Sequence, residues 1–158
     1  MMRDSHIRRI PVLLSALVAL ALAIVPLPSV LETVRPDFLV LVVFYWSIYQ
    51  PRAGGLALAF FSGLALDLVN GVVLGQHALA LTLMAAWATN LRLRIRVFSI
   101  LSQSLTVFAL LALYQFIIFW IDGATGNPVT AYSRWLAPVI GALIWPLMVG
   151  ILSRLDER

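Results

Sequence analysis

Within the stretch "GLALDLVNGVVLGQHAL", Gly63 to Leu79, an aspartate and a histidine stand in otherwise apolar surroundings, with asparagine, glutamine and three glycines close by. An acid and an imidazole so placed suit three kinds of work: moving a proton through a bilayer, holding a polar ligand, or pinning two helices together by a hydrogen bond. A relay needs a chain of titratable groups across the membrane, and nothing acidic or histidine-like continues inward from Asp67. The pin is the favoured reading, with His77, Arg35 and Arg134 all open as partners of Asp67. Contact with a partner protein or small ligand comes second.

Other chemistries have less to stand on. His6 and His77 are the only histidines and cysteine is absent, so no metal-ligand spacing and no thiol chemistry can be read. No close pair of carboxylates lies in an apolar segment to act as acid and base, and the serines have no histidine and acid in a nucleophile motif. Asp156 and Glu157 read as a solvated tail. The expectation is a protein without catalytic residues, metal or cofactor.

The elements that must position Asp67 and His77 follow from composition. With 62% hydrophobic and 11% charged residues in 158, the chain reads as an integral membrane protein. Its net charge of +4 comes from eleven arginines and no lysine, and these flank apolar runs, which points to membrane topology rather than nucleic acid. The N-terminal stretch has the basic flank of a signal peptide, but its "ALA" at Ala21–Ala23 lies inside the apolar run, so an uncleaved first span is expected.

Six spans are predicted: Ile10–Val30, Pro36–Tyr49, Ala53–Val69, Val72–Leu91, Val97–Ile121 and Trp135–Leu152. The second and third would reach only about 21 and 25 Å as helices, against roughly 30 Å of hydrocarbon. Arginine placement argues that both cross. With six spans and a cytoplasmic N-terminus, nine arginines fall inside and only Arg35 and Arg134 outside, whereas deleting either short span puts Arg92, Arg94 and Arg96 outside. The result is one membrane domain over residues 1–158, a bundle of six transmembrane helices with both termini cytoplasmic.

Local signals agree with these limits. Pro36 suits a first helical position with Asp37 in the first turn, where the helix dipole favours a carboxylate. Tyr45, Trp46 and Tyr49 suit an interfacial belt, and Asn70 with Gly71 suits an outer turn. Asp122–Tyr132 is the one sizeable outer loop. Gly55, Ala59 and Gly63 recur at four-residue spacing and lead to Asp67, while Ser15, Ala19 and Ala23 do the same in the first span; such ridges let helices approach closely, either within the bundle or with a partner's helix. Pro146 predicts a bend in the last span beside Trp145. Asn90, Gln103 and Gln115 read as hydrogen-bonding residues between helices or as the lining of a cavity.

"VRPDFLVLVVFYWSIYQPR" (Val34–Arg52), "GGLALAFFSGLALDLVNGVVLGQHAL" (Gly54–Leu79), "YQFIIFW" (Tyr114–Trp120) and "GALIWPLMVGILSRL" (Gly141–Leu155) together resemble the rod shape-determining MreD family over nearly the whole chain. The resemblance puts the family's recognisable positions at Arg35, Pro36, Asp67, Gly71, Gly75, Trp120, Trp145 and Pro146. It implies an inner-membrane component of the bacterial elongation machinery, embedded in membrane lipids and associated with MreC. Through MreC it would reach the MreB cytoskeleton, the glycosyltransferase RodA and its penicillin-binding transpeptidase. The family brings no catalytic residues. Its fold is similar to the substrate-binding subunits of energy-coupling-factor vitamin transporters, which implies an alternative: a small-molecule binding subunit, with Ser15, Ala19 and Ala23 docking a partner. Against it stand the short outer loops and the few polar groups expected to converge there.

Overall fold

The structure is a computed structural model that describes residues 3–126 and 132–157. Arg3, Arg8 and Arg158, whose charges entered the topology reading, have side chains outside the described residues, as do His6 and most of the loop predicted over Asp122–Tyr132. The described residues form helices and turns without a strand. The order is α1 (Arg3–Ile24), α2 (Ser29–Thr33), α3 (Phe38–Tyr49), α4 (Pro51–Gly54), α5 (Leu56–Asn70), α6 (Gln76–Val97) and α7 (Ile100–Ala124), then a 3-10 turn (Tyr132–Trp135) and α8 (Leu136–Asp156). Of these, α7 and α8 are long and apolar enough to cross a membrane by length and composition.

At the centre lies α3. Its sequence, FLVLVVFYWSIY, is apolar on every side, and a helix of that kind belongs inside a bundle. Every residue from Leu39 to Ile48 is buried, with α6, α1, α8 and α5 packed around it. Tyr45 and Trp46 are therefore core residues and not an interfacial belt. Trp46 Nε1 donates to Ser15 Oγ at 2.9 Å, and Ser15 Oγ donates to the Val12 carbonyl at 2.9 Å.

That contact also settles which way the first small-residue ridge faces. Val12, Ser15, Ala16 and Ala19 form the buried stripe of α1 against α3, while Leu13, Leu14, Leu17 and Val18 face outward. Ser15 and Ala19 are thus committed inside the molecule and are not a free ridge for docking a partner. Gly54 serves the same close packing: a Cβ there would stand 2.6 Å from the Cβ of Trp46.

Each predicted span has one principal helix, but the limits move for physical reasons. Helix α1 stops at Ile24, ahead of Val30, because Pro26 and Pro28 cannot donate to a helix and force the residues before them into extended backbone. Pro36 precedes α3, whose N-cap is Asp37. Gly55, at ψ −132°, breaks the chain between α4 and α5, so α5 begins at Leu56. Helix α6 runs on to Val97 and carries Arg92, Arg94 and Arg96 in its final turns, where cations meet the negative end of the dipole; they are not a loop. Helix α7 extends through Asp122 to Ala124. Helix α8 continues through Pro146, and a Cβ on Gly141 would meet Leu111 Cδ1 of α7 at 2.7 Å.

The arginine-rich end is closed by polar contacts. Gln103 Oε1 accepts from Tyr49 Oη at 3.2 Å and from Trp145 Nε1 at 3.4 Å, while its Nε2 donates to the Phe98 carbonyl at 3.3 Å. Gln50 Nε2 donates to Asp156 Oδ1 at 3.2 Å, tying the α3–α4 corner to the end of α8. Arg96 donates to the Tyr49 carbonyl and lies over the Tyr49 ring, 5.4 Å from its centroid.

Candidate functional site

Helices α5 and α6 form a hairpin with a tight waist. A Cβ on Gly63 would stand 2.3 Å from Ala78 Cα, so the two backbones touch where only glycine fits. One turn further on, Asp67 is 1% exposed. Its side chain lies across the start of α6: Oδ2 accepts from Gly75 N at 2.8 Å and from Ala78 N at 3.5 Å, and Oδ1 accepts from His77 N at 2.8 Å. His77 Nδ1 lies 2.8 Å from the same Oδ1, and against a carboxylate it is the donor. A helix start leaves its first N–H groups without intrahelical partners. Asp67 meets that need from a neighbouring helix.

The turn between them depends on two glycines. Gly71 caps α5 at φ 63° with its N–H donating to the Asp67 carbonyl, and Gly75 precedes α6 at φ 102°. Both values lie where side chains are strained and glycine is not. Asn70, expected in the turn, is the last helical residue.

A second carboxylate, which the sequence placed in a loop, stands beside this hairpin. Asp122 on α7 is 5% exposed. Its Oδ1 accepts from Gln76 Nε2 at 2.6 Å and its Oδ2 from Arg134 at 3.0 Å, joining α6, α7 and the segment leading into α8. Gln76 Oε1 is buried without a partner among the described residues. Sequence reasoning missed this trio because its members are far apart in the chain. The only signal was an aspartate closing the apolar, aromatic-rich run at "FWID".

Above the hairpin, at the arginine-poor end, a cavity of about 420 Å³ opens. Its walls include Glu32, Arg35, Asp37, His77, Gln115 and Arg134, with Tyr114, Leu66 and Ile118 deeper in. Polar groups do converge here, which corrects the expectation that few would. The chain delivers them from α2, the α2–α3 link, α6, α7 and the 3-10 turn before α8.

The remaining candidates lie apart. Gly55, at the break before α5, and Ala59, on α5, lie toward the opposite end, with Ala59 fully buried. Trp120 projects outward from α7 at 64% exposure and meets Phe116 edge to face at 6.1 Å. Trp145 is buried, and the neighbouring Pro146 is exposed. Asp67 pairs with His77 rather than Arg35, and Arg134 pairs with Asp122. Among the described residues no group of three or more His, Cys, Asp or Glu could hold a metal ion.

Among the described residues the chain is all-helical, two helices are fit to span a bilayer and the buried carboxylates Asp67 and Asp122 are occupied in joining helices, the build of a membrane protein organised around packing. The family profile described as rod shape-determining protein MreD matches residues 5–155, and the chain belongs to that family, a bacterial membrane family of cell-shape determination. A rod shape-determining protein MreD from Haemophilus influenzae is 29% identical over 145 residues, covering 89% of this chain and 87% of that relative. No solved structure matches it.

Proposed function

We propose that this chain is a multi-pass inner-membrane scaffold of the elongation machinery, with six spans and both termini cytoplasmic. It would serve lateral peptidoglycan synthesis by holding a transmembrane helix of MreC, through which MreB, RodA and the penicillin-binding transpeptidase are brought into one assembly. It carries out no reaction itself. The short α3 crosses as part of this bundle because neighbouring helices, not lipid, surround it.

The observation that carries the scaffold reading is a cleft of about 170 Å³ between α1 and α5 on the outward side of the bundle. Ala16, Ser62 and Ala65 make its floor, with Leu13, Leu17 and Phe61 among its walls. In lipid, small residues let a second backbone come close, and apolar walls accept a helix without desolvating charge. Toward the arginine-rich end Arg9 and Arg52 flank the adjoining hollow, where lipid phosphates or the partner's polar flank would meet them.

Filling the cleft tests this. Ala65→Phe is expected to reduce co-purification of MreC at least tenfold while leaving the thermal unfolding of the detergent-purified protein unchanged. Leu143→Phe, on an exposed stretch of α8, should leave co-purification intact. Full MreC recovery with a folded Ala65→Phe protein would refute the cleft.

A second reading, a vitamin-like binding subunit of a membrane transporter, draws on the polar cavity at the other end. A tightly retained vitamin in the purified protein would favour it over the scaffold.

A further inference from the structure

The cavity at the arginine-poor end has a charge pattern that the packing of the bundle does not use. Glu32, Arg35 and Asp37 all face it, and their side chains make no hydrogen bond or ion pair among the described residues. They share one small volume without a direct ion pair, and Asp37 feels His77, Arg134 and Arg35 only across the space between them. Arg134 adds a second cation, held in place and partly offset by Asp122, whose Oδ2 lies 3.0 Å from its Nη1. Two cations and two anions thus line one space, with the Gln115 amide and the Tyr114 hydroxyl as further uncharged polar groups. His77 is fixed by its Nδ1 contact, which leaves Nε2 as the ring's remaining polar atom.

Charge this balanced does not select a simple anion or a simple cation. Either would satisfy one pair and face repulsion from the other. A molecule carrying both signs satisfies both. The apolar patches from Leu66, Val72, Ile118 and Ala137 suit a short carbon body between its charged ends. At about 420 Å³ the cavity lies within the range of small-ligand sites and has the volume of on the order of a dozen water molecules.

We propose that the cavity lined by Arg35, Asp37, Glu32 and Arg134 binds a compact zwitterion, an ammonium group joined by a few atoms to a phosphate or carboxylate. The oxyanion faces Arg35 and Arg134, and the ammonium faces Asp37 and Glu32. Such a group occurs in free solutes and in the headgroup of phosphatidylethanolamine. The inference does not depend on the scaffold reading, since it uses the opposite end of the bundle from Arg9 and Arg52.

The test uses the full chain purified in detergent, with phosphoethanolamine, inorganic phosphate and ethanolamine as separate probes in thermal-shift and calorimetric titrations. A second arm reconstitutes it in nanodiscs of phosphatidylethanolamine or phosphatidylglycerol and scores retained lipid by native mass spectrometry. Binding of phosphoethanolamine at least tenfold tighter than of phosphate or ethanolamine supports a free zwitterion. Selective retention of phosphatidylethanolamine alone supports the headgroup as the source. Arg35→Gln and Asp37→Asn should each weaken whichever binding is seen at least tenfold while unfolding as the parent does. Equal binding of phosphate alone, no binding in either arm, or undiminished binding by both folded variants would overturn the proposal.

Discussion

Asp67 Oδ1 receives both the backbone N–H and the ring Nδ1 of His77, each at 2.8 Å, while its other oxygen holds Gly75 N. One carboxylate therefore supplies the missing acceptors for the start of α6 from a position on α5. In Asp67→Asn one oxygen becomes an NH2 group that faces an N–H donor, and in Asp67→Ala both acceptors vanish. Unsatisfied buried donors cost about 1–3 kcal/mol each. Asn is expected to lower stability by about that amount and Ala by more, whereas His77→Ala, which keeps the backbone N–H, should cost only about 1 kcal/mol. Thermal unfolding in detergent gives the order; an Asp67→Ala protein as stable as the parent would contradict it.

Gly63 and Gly150 make a matched pair of helical glycines. A Cβ on Gly63 collides with the Ala78 backbone, while one on Gly150 meets nothing within 4 Å. Gly63→Ala should destabilise by about 1–3 kcal/mol through overpacking. Gly150→Ala should be neutral or stabilise by about 0.5–1 kcal/mol, since alanine is the better helix former. Protease resistance of the two proteins in native membranes checks the contrast.

The turn offers a separate test of backbone strain without crowding. Gly71 is at φ 63° with open space around its Cβ position. Gly71→Ala is expected to cost about 1–2 kcal/mol and Gly71→Asn less, because asparagine tolerates that conformation better. A comparison of their unfolding midpoints reads this directly.

At the opposite end Gln103 receives hydrogen bonds from Tyr49 and Trp145 and donates to the Phe98 carbonyl. Removing the hub strands several groups, while removing one spoke strands fewer. Gln103→Leu should therefore lower stability more than Tyr49→Phe, by a difference of about 1–2 kcal/mol. Equal losses would mean that the shared glutamine is dispensable.

How much of this was legible in the chain differs by element. The six apolar segments each have a principal helix, because a helix satisfies the backbone of an apolar run from within. The Asp67–His77 contact was within reach because a short glycine turn sets both side chains at similar depth, although Arg35 and Arg134 remained open as partners. The central place of α3 was not drawn from its aromatic residues, which suit an interface equally well; the absence of any polar side was the better sign. Ridges at Ser15, Ala19, Ala59 and Gly63 could have faced a partner or a neighbour, and spacing carries no information on which. Asp122, Gln76 and Arg134 meet only through the fold, and so do the charged groups of the cavity.

The scaffold reading is tested most directly by a photo-reactive amino acid placed at Phe61 in the α1–α5 cleft, with Leu143 on the exposed side of α8 as its counterpart, in native membranes containing the whole machinery. The account predicts a cross-link from position 61 to the transmembrane segment of MreC and none from position 143. A cross-link to MreC from position 143 with none from position 61 would contradict it.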